Sequence, residues 1–463
     1  MTYQEARDFI HQSGQYGCVP GLDTITQLMH LLGNPQEKLR ILHIAGTNGK
    51  GSTAAFIASI LACEGCRVGR YHSPAVFSYR EIIQITRREQ ELISGGNEAS
   101  GDTENNETEE VKLCSENITK SGVAAAIQEI KAACEAMVRE GYPHPTSFEI
   151  ETAMAMLYFV NSKVDFAVIE VGMGGKMDAT NIFQAPVCSV ITSISMDHMQ
   201  FLGDTLGKIA GEKAGIIKRN CPVITCVQEE EVMQVLEEVS REQHAPLTVS
   251  EERKLSGTVF AEDGTDFTLE HADGTGRKTY RIHLLGEYQV KNALLALKVI
   301  DVLRQSGYLI REAAVIQGLK LTRWSGRFEI IGRRPLMVID GAHNQDAALM
   351  LRKSILRYFN DRRKIFIIGV LADKDYHSIL KLTAPLADVI FTVTSESARA
   401  LPSDQLAKAA MVYHKRVIDA KQVRQALLLA KQEAAEEDVI IAFGSLSFLG
   451  EFVNARELGK EDE

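Results

Sequence analysis

Two kinds of apolar run alternate along the first part of the chain. Short unbroken stretches at 39–46 (LRILHIAG), 165–175 (DFAVIEVGMGG) and 186–194 (PVCSVITSI) carry no polar alternation. Between them, 52–65 (STAAFIASILACEG) and 292–307 (NALLALKVIDVLRQSG) repeat apolar residues at helical spacing. Strands apolar on both faces and separated by helices predict a mostly parallel sheet covered on both sides. Residues 256–283 differ: they alternate and turn at glycines, as antiparallel hairpins do. A short polar stretch near 320–327 holds the only tryptophan, and beyond it a second strand–helix alternation begins. Its strands are expected at 335–340, 364–370, 387–394 and 437–444. The pattern therefore predicts an α/β protein of two domains. The larger, at 1–322, has a P-loop-type, mostly parallel sheet; the smaller, at 326–463, is Rossmann-like. Residues 89–122 are acidic, polar and almost free of aromatics, which predicts a flexible surface insertion.

Length and composition narrow the class. The 463 residues suit two domains, and 45% apolar with 24% charged residues is ordinary for a globular protein. A formal charge of −10 argues against nucleic acid as a partner, so any phosphate must be held by local devices. The start, MTYQEARDFIHQSGQYG, lacks the basic and apolar regions of a signal peptide, and no apolar run is long enough to span a membrane. Both point to a cytoplasmic chain. Of eight cysteines only Cys63 and Cys66 form a C-x-x-C, and no second pair completes a zinc set.

The clearest chemical signal is Gly46-Thr47-Asn48-Gly49-Lys50-Gly51-Ser52, followed by Thr53, between a strand and a helix. Glycines let main-chain amides converge on an anion, and a helix N-terminus adds positive potential. Lys50 is placed to reach the β- and γ-phosphates of ATP, with the Ser52 and Thr53 hydroxyls serving Mg²⁺ or phosphate. The loop is shorter than a strict Walker A, and Lys50 is followed by glycine. Glu170 ends the next strand, where a carboxylate is well placed for Mg²⁺, and His198 lies one strand further, after Asp197. On sequence alone Lys213 reads as a surface lysine. Buried beside a cation, its amine would instead lose its proton and take up CO₂ as a carbamate. Asn292 stands early in a helix, placed for a base or phosphate. Arg327 lies at the interdomain link, and Asp340 and His343 follow the first strand of the second domain.

Ordered stretches carry a resemblance over nearly the whole chain: HIAGTNGKGS, HSPAVFSYREIIQI, SFEIETAMAML, EVGMGGKMDATN, SMDH, LGDTLGKIAGEKAGIIK, GEYQVKNA, SGRFE, DGAHN, LADKD and GSLSFLGEF. With these the chain resembles the folylpolyglutamate synthase/dihydrofolate synthase family of the Mur ligase superfamily. The resemblance implies ATP-dependent joining of L-glutamate to the carboxylate of a reduced folate or folylpolyglutamate through an acyl phosphate, with dihydropteroate as a second candidate acceptor. It implies two Mg²⁺ ions held by Ser52, Ser73, Glu170, His198 and a carbamylated Lys213. Nucleotide contacts fall to Asn292, Arg327 and Asp340, and His343 lies by the γ-phosphate and the incoming glutamate. Lys50, Lys213 and His343 form the catalytic set, in a monomer with neither nucleic-acid nor membrane partners. Three positions depart from the family pattern. His72-Ser-Pro-Ala75-Val stands where TSPHL is frequent, Lys176 replaces a frequent arginine, and Gln345 replaces a common proline. The rival expectations are another amino-acid ligase of the superfamily, or an ATP-binding module without amide chemistry. The first would need a nucleotide-sugar domain ahead of a loop that already begins at residue 46.

Overall fold

In the computed structural model the described residues are 1–17, 21–89, 111–251, 255–270 and 276–461. Their strands form three sheets. The first contains β1 (Ile41–Ala45), β2 (Val68–Tyr71), β3 (Ile83–Arg88), β4 (Leu113–Asn117), β5 (Phe166–Glu170), β6 (Cys188–Ile191), β7 (Val223–Cys226) and β8 (Leu247–Ser250). Their order is β4-β3-β2-β5-β1-β6-β7-β8, parallel from β2 to β8, with β3 and β4 antiparallel at one edge. β9 (Leu255–Ala261), β10 (Gly264–Glu270) and β11 (Arg277–Ile282) form a separate antiparallel sheet, the hairpins expected from their alternation. The third sheet holds β12 (Glu329–Arg333), β13 (Leu336–Asp340), β14 (Lys364–Ile368), β15 (Val389–Val393), β16 (Val417–Lys421) and β17 (Val439–Phe443), ordered β12-β13-β17-β14-β15-β16. It is parallel except for β12.

β1, β5, β13, β14, β15 and β17 are buried along their whole length, as their unbroken apolar runs require. On one face of the first sheet lies the helix Lys50–Cys63, buried from Gly51 onward and pressed by the helices Glu287–Gln305 and Glu312–Leu321. Contact there is backbone to backbone, since a Cβ on Gly318 would stand 2.4 Å from Ile60 Cα. The other face is covered by Lys120–Arg139, Ser147–Asn161, Tyr3–Ser13 and Asp23–Leu31.

The expectation of a flexible insertion through residue 122 needs correction. Leu113–Asn117 pairs with β3, Glu89 N donates to Lys112 O at 2.8 Å, and Lys120 opens a twenty-residue helix capped by Thr119. An edge strand with a polar outer face carries no unbroken apolar run, so composition alone misread it. Residues 90–110 lie outside the described residues. The strands β2, β3, β7, β8, β12 and β16 also went unread.

Candidate active site

Parallel register brings the chemistry to one edge. Tyr71 pairs Ile169, Ile44 pairs Glu170 and Ala45 pairs Ile191, so Ser73, Glu170, Gly46 and Ser193 all follow the carboxyl ends of adjacent strands. There the chain must leave the sheet, and unused main-chain groups and polar side chains gather. The loop 46–49 is tied to the tip of β6: Thr47 N donates to Ser193 O (2.8 Å), Ser193 Oγ to Asn48 O (3.1 Å) and Thr47 Oγ1 to Ser195 O (3.1 Å). Gly49 takes φ +91°, a conformation that costs an L side chain energy, and a Cβ there would also strike Asn292 Oδ1 at 2.5 Å. Gly51 is needed for space: its Cβ would lie 2.6 Å from the Trp324 ring.

Lys50, Glu170 and Lys213 meet beneath this loop. Lys50 Nζ donates to Gly46 O and Thr47 O, both at 3.1 Å, and stands 3.8 Å from Glu170 Oε1. Lys213 is 4% exposed, so it is not the surface lysine its sequence context suggests, and its Nζ donates to Gly46 O at 3.0 Å. Burial, reinforced by Lys50, pushes its ammonium down to about 7. Burial also raises the Glu170 carboxyl, against the pull of Lys50 and Arg327. Ser52 is buried at the start of the helix, and Thr53 Oγ1 is buried with no hydrogen-bond partner among the described residues.

The third sheet supplies the facing wall. Asp340 ends β13 with both carboxylate oxygens engaged, Oδ2 accepting from Phe328 N and Oδ1 from Ala342 N, each at 2.8 Å. Burial lifts it to about 6 despite Arg327. Arg327 packs over Gly341 and lies near enough to Glu170, Asp340, His72 and His343 to act on their charges. His343 Nδ1 bonds Gly341 O at 2.8 Å; because the partner is a carbonyl, Nδ1 carries the proton and Nε2 keeps its lone pair. Burial holds this imidazole neutral, down to about 4.

The strongest link across the cleft is one the sequence left unassigned. Asp197 accepts from Lys374 Nζ and from Asn344 Nδ2, both at 3.0 Å, and lies 3.8 Å from His343 Nε2. Burial works to raise this carboxyl, but Lys374, His198 and His343 outweigh it and hold it well below the usual range. Asn48 of the loop also reaches across, donating to Asp346 Oδ2 at 2.9 Å. SMDH and LADKD both stand just beyond strands, the one signal that would have marked Asp197 and Lys374.

Other predicted residues are less tightly gathered. His198 is exposed, with φ +51°; its main-chain N donates to Asp197 Oδ1 at 2.9 Å, and its ring feels the charges of Asp197, Lys374, Lys213 and Lys50. Ser73 opens the loop after β2, whose Val76 and Phe77 pack on the third sheet's core. Asn292 Nδ2 donates to Gln289 Oε1 and its side chain backs Gly49. Among the described residues no group of three or more His, Cys, Asp or Glu could by itself hold a metal, and no helix is long and apolar enough to cross a membrane.

Residues 112–300 match the Mur ligase middle domain and 326–446 the Mur ligase glutamate ligase domain. The chain is 32% identical to the dihydrofolate synthase/folylpolyglutamate synthase of Bacillus subtilis, over 97% of this chain and 98% of the relative. Its fold is similar to that of Mycobacterium tuberculosis folylpolyglutamate synthase complexed with ADP, with TM-score 0.84, 30% identity and 98% of each chain covered. It is also similar to Escherichia coli FolC in complex with DHPP and ADP, with TM-score 0.81, 25% identity and 99% of each chain covered. The chain thus belongs to the dihydrofolate synthase/folylpolyglutamate synthase family of the Mur ligase superfamily.

Proposed function

We propose that this chain ligates L-glutamate to the carboxylate of a reduced folate or folylpolyglutamate, using ATP, through an acyl phosphate. We assign it dihydropteroate as a second acceptor, as the paired name of its Bacillus subtilis relative suggests. The observation that carries the reading is the meeting of Lys50, Glu170 and Lys213 under a glycine loop, opposite Lys374 and His343 joined through Asp197. A free carboxylate is a poor electrophile, and phosphorylation gives it a good leaving group. Lys50, now spent on two loop carbonyls, turns its ammonium onto the phosphates when they arrive. Arg327 reaches toward the same point from the linker, while Asn292 and Asp340 frame the nucleotide. The attacking amine must shed a proton, and the free Nε2 lone pair of His343 is placed to take it.

The donors present suit Mg²⁺: a buried carboxylate (Glu170) and hydroxyls (Ser52, Ser73), with His198 at the margin and phosphates and water completing the shell. Bound there, Mg²⁺ supplies charge neutralisation on the transferring phosphoryl group. Lys213 suits carbamylation because it is buried beside a second cation and its hydrogen bond is to a carbonyl. The units 1–322 and 326–463 act as the two walls of the cleft, in a cytoplasmic monomer.

Lys50→Ala is expected to abolish glutamate-dependent ADP release, and unchanged turnover would refute the loop assignment. Assaying ADP release with dihydropteroate and with tetrahydrofolate, each with glutamate, tests the acceptors. Silence with both sinks the ligase reading.

A further inference from the structure

Beside the phosphate loop the first sheet buries a guanidinium in an unusual setting. Arg70, in the middle of β2, is 6% exposed. Its Nη2 donates to Gln84 Oε1 on β3, and Gln84 passes the bond on to Asn117 Oδ1 of β4 at 2.8 Å. Arg70 Nε has no partner among the described residues, and burial pushes the group down to about 10. What it does face is an indole: its guanidinium carbon lies 5.2 Å from the ring centre of Trp324. His72 meets the same ring edge-on at 4.7 Å. The indole also presses on Gly51, in the first turn of the phosphate-loop helix, with no room for a methyl group. Three residues later in the chain stands Arg327.

A buried cation without a carboxylate is costly, and a face-on aromatic ring is one of the few groups that offsets that cost. The ring so held touches the start of the phosphate-loop helix and is itself part of the linker that leads to Arg327.

We propose that Arg70 is a positioning residue for the nucleotide, acting through Trp324. By fixing the indole against Gly51, it sets the first turn of the phosphate-loop helix and the path of the linker that delivers Arg327. The proposal rests on the nucleotide reading of the 46–52 loop.

Trp324 is the only tryptophan in the chain, so its fluorescence reports this contact directly. Arg70→Met, which keeps the stem and removes the charge, is expected to shift ligand-free tryptophan emission. It should also raise KM for ATP five- to tenfold while kcat stays within twofold, and Arg70→Lys should recover most of the loss. Unchanged emission and KM overturn the proposal, as does a lower melting temperature with KM unchanged. Should Arg70→Met not fold, Trp324→Phe must raise KM for ATP similarly, and a wild-type KM there also overturns it. Failure of the unaltered chain to bind ATP would instead count against the loop reading, whereas normal binding with an unaffected Arg70→Met counts against Arg70 alone.

Discussion

The two walls of the cleft differ in how far they satisfy their buried charges. On the first sheet, Lys213 has a single carbonyl partner and Glu170 a lysine held at 3.8 Å; both are pushed toward neutrality. On the third sheet, Asp340 has each oxygen filled by a main-chain amide even though burial raises it as well, and Lys374 is paired with Asp197 at 3.0 Å. Lys213 and Glu170 keep capacity for a ligand, whereas the filled oxygens of Asp340 and the Lys374–Asp197 pair hold the facing wall in shape. Buried polar groups are normally satisfied, so an incompletely satisfied set invites a partner from outside.

Substitutions can break this contrast. The largest effect is expected for Lys213→Ala: at least a hundredfold loss of glutamate-dependent ADP release, partly restored by a short carboxylic acid supplied in solution. Full activity of the unrescued variant would put Lys213 among the structural residues. Next is Asp197→Asn, which leaves Lys374, its side chain mostly covered, without its ion-pair partner. Removing one partner of such a pair typically costs about 3–5 kcal/mol, and with 11% of each side chain exposed the lower end is expected. A denaturant midpoint equal to wild type would show that the cleft-spanning pair adds nothing.

A pH series sharpens the picture further. His343 titrates near 4 when folded and near 6.5 when unfolded, so the unfolded chain binds the extra proton between those values. Its contribution is therefore full above pH 6.5 and lost as pH falls toward 4. His343→Gln should flatten the stability slope across that window, as seen in urea melts at pH 4.5 and 6.5. An unaltered slope would assign the acid sensitivity elsewhere. The smallest effect belongs to Asp346→Ala, which removes the bond from Asn48. A rise of about 0.5–1.5 kcal/mol in the ease of unfolding is expected, with a modest increase in KM for ATP.

Much of this architecture was written in runs of residues. β1, β5, β13, β14, β15 and β17 are continuous and apolar because both faces are covered, and such strands announce themselves. β4 and β16 are edge strands with polar outer faces, so they read as loop. The phosphate loop was legible because its glycines are forced by φ and by close neighbours within a few residues of each other. Asp197 and Lys374 were not, because 177 residues separate them and only the folded cleft brings them together. Lys213 looked like solvent-facing charge; its burial comes from the tertiary approach of its helix to the loop.

Gly318 carries a consequence for how this chain tolerates change. The helix that begins at Lys50 runs into an abutment at Ile60, ten residues on, roughly 15 Å along its axis. A rod clamped at its far end transmits displacement instead of absorbing it. A methyl group at residue 318, or any enlargement of the 312–321 face, would push on the phosphate loop without coming near a nucleotide. Inherited or selected variants that weaken ATP use should accordingly cluster along this rod as well as at its tip.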